Sequence, residues 1–159
     1  FVDPGHSLPP FITQLTGITD DMLLSAPFID EVLPTLFAFL GAPEETVLVA
    51  HNSPFDMSFL KAAALVHEYP WPNYLTVDTA RLARAVLDRD EVINCKLGTL
   101  AEFFKTETSP NHRALDDALA TVDVLHGIIE RLAGHKVRTF EEMRSFPSKK
   151  KRAKRPISE

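Results

Sequence analysis

Two short apolar runs, "TVLVA" at 46–50 and "YLTVD" at 74–78, each pass straight into a helix-forming segment. That alternation constrains the fold more than any other feature of the chain. A short continuous apolar run is the pattern of a buried strand. After the first run, "SPFDMSFLKAAALVHEY" (53–69) has an explicit helix start, with Ser53 as N-cap and Pro54 at the first helical position. After the second, "TARLARAVLDRD" continues as a helix. Strand and helix in alternation argue for an α/β layer fold. Two strands make a marginal sheet, so further strands are expected upstream of Phe1. Phe1-Val2 itself reads as a strand end running into an Asp-Pro-Gly turn, and residue 1 is not Met. The chain is therefore expected to be a piece of a longer protein.

The remaining elements frame this unit. "LPPFITQLTG" reads as a short helical turn stopping at Gly17, and "TDDMLLSAP" as a second short helix with Thr19 as N-cap. "FIDEVLPTLFAFLG" (28–41) is an amphipathic helix ending at Gly41, with Pro34 a local irregularity. "KLGTLAEFF" is another short helix, and "TFEEMRSF" a last one. From Ala114 to Leu132 the apolar residues Leu115, Leu119, Val122, Leu125, Ile129 and Leu132 recur at helical spacing.

The head of that long helix raises a chemical question. In "SPNHRALDD", His112 and Asp117 are five residues apart. At about 100° per residue, two such positions on one helix diverge by roughly 140°. They face a common place only if the helix begins after His112. Pro110 is poor helix interior and Asn111 a good cap or turn residue, which favours that start. A second cluster, His51, Asn52 and Asp56 in "VAHNSPFD", surrounds a strand-to-helix turn, where α/β sheets bind ligands. Each cluster has a plain structural alternative. Ser53-x-x-Asp56 resembles a capping box, and the alternative for Asn52 is a brace for the turn. Asp116 and Asp117 suit a helix N-terminus beside a surface histidine. Together they suggest more, because hard cations need carboxylate oxygens and a neutral imidazole takes a proton near neutral pH.

Composition limits the partners. The 159 residues, 45% hydrophobic, fit one domain with a tail. No run reaches the roughly 20 apolar residues of a membrane span, and no secretory signal is present. Cys95 is the sole cysteine, which excludes an internal disulfide and an all-cysteine zinc site and fits a reducing cytoplasm. Residues 1–137 hold 9 Lys and Arg against 19 Asp and Glu, whereas residues 138–159 hold 8 against 3. An acidic body suits a protein that gathers carboxylates around metal ions. "KKKRAKR" (149–155) is either a solvated tail or an arm that grips phosphates.

With these motifs in order, residues 1 to about 137 resemble the DEDDh 3′-to-5′ exonucleases of the RNase H-like superfamily. "PGHSLPPFITQLTGITDDML…AP" is similar to the family's segment after its third strand, "VAHNSPFD" to its second motif and "HRALDDA" to its third. The likeness extends to the proofreading subunit of bacterial DNA polymerase III and to bacterial exonucleases that precede a UvrC-type endonuclease module. It implies an RNase H-like mixed sheet flanked by helices, here lacking the N-terminal strands. Residues 1–137 would form the exonuclease-like domain, and 138–159 a short helix with a basic tail or linker. The family's first motif, Asp-x-Glu, occurs nowhere in the chain.

The resemblance implies hydrolysis of a terminal phosphodiester by two Mg²⁺ or Mn²⁺ ions, with one generating hydroxide and both stabilising charge. His112 would be the general base, and Asp56 and Asp117 metal ligands in a site incomplete without the missing pair. Asn52 and the Thr16-Gly17-Ile18-Thr19 loop would line the groove for the terminal nucleotide. Asp78 fits a helix cap or a supporting residue better than a ligand. The expected partner is nucleic acid, chiefly 3′ ends of single-stranded DNA, together with a downstream endonuclease module or a polymerase, and no membrane. Two other readings use the same residues: a non-catalytic exonuclease fold that binds nucleic acid or protein, and a metal phosphohydrolase acting on nucleotides.

Overall fold

The structure, a computed structural model, describes residues 1–147. Its elements run α1 (Pro10–Thr16), α2 (Asp20–Leu23), α3 (Ile29–Leu40), β1 (Val47–Ala50), α4 (Ser53–Val66), β2 (Leu75–Asp78), α5 (Thr79–Val86), α6 (Leu97–Phe104), α7 (Ala114–Gly134) and α8 (Phe140–Ser145). β1 and β2 pair in parallel, with Val47 opposite Leu75 and Ala50 opposite Asp78. Parallel strands need a crossover of a dozen or more residues, and α4 supplies it. The result is a βαβ unit inside an α/β fold. The basic run 149–155 lies outside the described residues. No described helix is long and apolar enough to cross a membrane.

Most element starts and stops follow local chemistry. α1 ends where Gly17 enters the left-handed region (φ 74°) and returns its N–H to the Thr13 carbonyl. α2 begins after Thr19 with two acids in its first turn. α3 keeps Pro34 within its span and stops at Gly41. α8 carries a full capping box between Thr139 and Glu142. Three expectations are corrected. The N-cap of α4 is Asn52 rather than Ser53, which is instead the first helical residue and is buried. α5 stops at Val86, because Leu87 is already extended, instead of running to Asp90. Phe1-Val2 forms no strand, and only Asp3 makes a single bridge, to Phe28.

The main core lies among β2, α5, α6 and α7: Val77, Leu82, Ala83, Val86, Leu87, Leu100, Val124, Ile128 and Leu132. Phe140, Met143 and Phe146 pack against it, so the segment after residue 137 docks on the body. Arg81 secures this docking by donating to the Phe146 and Arg144 carbonyls at 3.1 and 3.2 Å.

One contact in this core has no slack. A Cβ added at Gly127 would meet the Phe104 ring, with Cε1 at 2.7 Å and Cγ at 2.8 Å. Glycine in a helix costs about 1 kcal/mol relative to alanine, so its presence in α7 is explained by this close approach. Gly127→Ala is expected to destabilise the fold by about 1–3 kcal/mol through overpacking. A denaturant midpoint measures it, and adding Phe104→Leu should restore part of the loss.

Other faces are bare. The apolar run of β1 reads as a buried strand, yet Val47 and Val49 are exposed. On α7, Ala120, Val124, Ile128 and Leu132 are buried, whereas Leu115 (70% exposed), Leu119, Val122 and Ile129 face outward. Phe55 and Phe59 of α4 stack edge to face with 5.0 Å between ring centres, also exposed. The sheet face that carries Val47 and Val49 is thus open at β1, although Val77, opposite Val49 on β2, is buried.

Candidate active site

The loop before α7 is organised by two acids. Asp117 accepts the backbone N–H of Asn111 at 3.0 Å and that of His112 at 3.2 Å, both on Oδ1. Asp116 takes the Asn111 side-chain amide at 2.7 Å, and Asn111 Oδ1 accepts the Arg113 N–H at 3.0 Å. The helix starts after His112, as the spacing requires, with Arg113 as N-cap. His112 sits at φ 65°, a left-handed conformation that costs a non-glycine residue about 1–2 kcal/mol. The two hydrogen bonds to Asp117 hold it there. Its imidazole is exposed and makes no hydrogen bond to another described residue. The loop thus ties the His112 backbone to Asp117 and leaves both the imidazole and Asp117 Oδ2 without a hydrogen bond to the described residues.

A matching device sits at the end of β1. Asn52, also left-handed at φ 70°, gives its N–H to Asp78 Oδ1 at 3.0 Å. The same oxygen accepts the N–H groups of Ala80 and Arg81 at 2.9 and 3.2 Å, so Asp78 caps α5 while bracing the α4 turn. Asp56, at the fourth position of α4, is exposed and makes no hydrogen bond or ion pair with the described residues, Ser53 included. The capping-box alternative for Asp56 therefore fails.

Beside Asn52, His51 is half-buried and bonded at both ring nitrogens. Nε2 lies 3.0 Å from the Cys95 carbonyl and Nδ1 2.9 Å from the Thr79 hydroxyl. A carbonyl only accepts, so Nε2 carries the hydrogen; in the neutral ring Nδ1 then accepts from the Thr79 hydroxyl, which at 2.9 Å is closer than that hydroxyl's other acceptor, the Ala50 carbonyl at 3.4 Å. Burial pushes the imidazole below its ordinary 6.5; the Cys95 carbonyl and Asp78 carboxylate oppose this, and Arg84 adds to it. A depressed folded-state value means that the unfolded chain binds the proton more readily. His51 therefore contributes stability above about pH 6.5, and that contribution is lost as pH falls through its lower folded value. Unfolding midpoints should drop on acidification in this window, and less steeply in His51→Gln. Burial also raises the Cys95 thiol, which argues against a nucleophilic role.

The proposed groove loop is self-contained. Thr16 donates its hydroxyl to the Ile12 carbonyl at 2.8 Å and accepts the Ile18 N–H at 3.2 Å. Gly17 forms the turn, and Thr19 opens α2. No hydrogen bond joins this loop to Asn52, Asp56, His112 or Asp117. The structure thus bonds the His112 backbone N–H to Asp117, makes no hydrogen bond or ion pair between their side chains, and joins Asp56 to neither. No three His, Cys, Asp or Glu side chains among the described residues gather closely enough to hold a metal ion. A cation of the Mg²⁺ type needs about six oxygen ligands, so these residues do not by themselves fit a metal pair. A cavity of about 260 Å³ lies elsewhere, where the end of α6 meets α7, lined by Glu107, Asp123, His126 and Glu130 among others. Its acidic wall is unsuited to phosphates.

Two participants were hard to find from the sequence. His51 was visible only as a neighbour of Asn52, because its partners lie 28 and 44 residues away. Asp78 was legible as a cap, but its second duty to Asn52 was not.

Comparison with known proteins gives a consistent family. Residues 1–125 match the family described as Exonuclease. A bifunctional exonuclease/endonuclease protein of Mycobacterium tuberculosis (strain CDC 1551 / Oshkosh) is 49% identical over 161 residues, covering 99% of this chain and 24% of its own length. A PolC-type DNA polymerase III of Caldanaerobacter subterraneus subsp. tengcongensis is 39% identical over 145 residues, covering 91% of this chain and 10% of its own. The chain thus spans a quarter or less of these relatives. Among solved structures, Exonuclease X in complex with 5′ overhanging duplex DNA aligns with a TM-score of 0.65 and 26% identity. That alignment covers 90% of this chain and 76% of the other.

Proposed function

The chain belongs to the exonuclease family, and on that premise we propose that it is the larger part of a DEDDh-type 3′-to-5′ exonuclease. In this reading, two carboxylates of the first motif come from chain beyond these residues, on strands that pair along β1. The observation that carries it is the head of α7, where the His112 backbone N–H bonds to Asp117 Oδ1 while the exposed imidazole and Asp117 Oδ2 make no hydrogen bond to the described residues. The uncovered faces of β1, α4 and α7 support the missing layer, since a parallel sheet is normally covered on both sides. His112 takes the proton from the attacking water, and Asp117 and Asp56 belong to a divalent metal site that needs the missing pair. Asn52 and the Thr16–Thr19 loop line the path of the terminal nucleotide. The relative seen on duplex DNA favours DNA as substrate, and the polymerase and endonuclease relatives favour a role in replication or repair.

The test compares the full-length protein with the 159-residue chain on 5′-labelled single-stranded and 5′-overhanging duplex oligonucleotides. The full-length protein should shorten 3′ ends only with Mg²⁺ or Mn²⁺, and mononucleotides should be poor substrates. The 159 residues alone should bind metal weakly and cleave little or nothing. Robust cleavage by the short chain would contradict the reading, as would an inert full-length protein with both metals. The latter result would favour a binding module, a reading consistent with the lack of a three-ligand metal cluster among the described residues.

A further inference from the structure

We propose that His51 is a positioning residue of this site, bridging Thr79 and the Cys95 carbonyl so that the Asn52 turn delivers Asp56 to a fixed place. The proposal rests on the exonuclease reading. Its basis is a double stitch. Residues 51 and 52, at the end of β1, grip residues 79 and 78, at the end of β2: His51 through the Thr79 hydroxyl, Asn52 through the Asp78 carboxylate. The other ring nitrogen of His51 reaches across to the loop before α6. Three separate segments therefore meet on one imidazole.

The stitch matters because nothing nearer holds Asp56. Its carboxylate has no partner among the described residues, so its location follows from where α4 starts and how it is aimed. That start is Asn52, a non-glycine residue at φ 70°. Such a conformation persists only where the surroundings over-determine it. His51 is no rival to His112 as a base. Both of its ring nitrogens are engaged, one as donor and one as acceptor, which leaves no free lone pair for a substrate proton. Thr79 is fully buried, and its hydroxyl lies 3.4 Å from the Ala50 carbonyl, so the network is closed to solvent on that side.

The experiment uses the full-length protein with His51→Leu, His51→Gln and Thr79→Val, assayed well below each unfolding midpoint. His51→Leu removes both bonds; His51→Gln keeps a donor that reaches the Cys95 carbonyl; Thr79→Val removes the hydroxyl at constant shape. A misplacement of about 1 Å can cost 10²-fold, so kcat should fall about tenfold or more in His51→Leu, with KM for the oligonucleotide within about twofold. Thr79→Val should fall in between, and His51→Gln should recover part of the loss. Hydrogen exchange in the 50–56 segment should quicken in step with kcat. Unchanged kcat in folded His51→Leu and Thr79→Val would overturn the positioning role. If His51→Leu does not fold, Thr79→Val alone decides. An inactive wild-type protein would instead overturn the exonuclease reading, and the positioning role with it.

Discussion

His112→Ala in the full-length protein is expected to lower kcat by about 10²–10⁴-fold, the range that a positioned proton acceptor supplies. KM should change little, since in the proposed role the exposed imidazole acts in the chemical step rather than in holding the chain. The fold should tolerate the change, because the His112 bond to Asp117 is made by its backbone N–H, which alanine keeps. The left-handed φ of 65° remains a strain for alanine, so His112→Gly is the better-folded control. If both variants turn over at the wild-type rate, the assignment of the base is wrong.

Asp78→Ala is expected to cost about 2–4 kcal/mol, the joint loss of a helix cap and a charge-assisted bond to a backbone N–H. One oxygen of Asp78 serves Ala80, Arg81 and Asn52, so a single truncation leaves three donors unsatisfied and frees the left-handed turn ahead of α4. Asp78→Asn keeps an oxygen at that place and should cost about 1 kcal/mol. Urea unfolding of the two variants measures the difference. Equal losses would mean that charge, not the hydrogen-bond geometry, holds the turn.

Legibility in the sequence followed the range of the forces involved. The elements were readable because their signals are local: Pro54 near a helix start, Gly17 and Gly41 at helix ends. The start of α7 after His112 was readable for the same reason, from Pro110 and Asn111. What failed was long-range. Ser53 looked like the cap of α4 because its partner pattern with Asp56 is local, whereas the real anchor of that turn is Asp78, 26 residues beyond Asn52. The α7 stripe from Leu115 to Ile129 was correctly periodic, yet α7 is apolar on two faces. Periodicity cannot say which face meets α5 and α6. The order of the motifs pointed to the family that the comparison found.

The fit between Phe104 and Gly127 turns α7 into a lever. Ala114 lies thirteen residues before Gly127, about 20 Å along the axis at 1.5 Å per residue. A tilt of only about 3° about that fulcrum would swing the first turn, with Asp117 and the His112 loop, by about 1 Å, enough to matter for the catalysis proposed above. A methyl group at the fulcrum would thus shift the head of the helix without touching it.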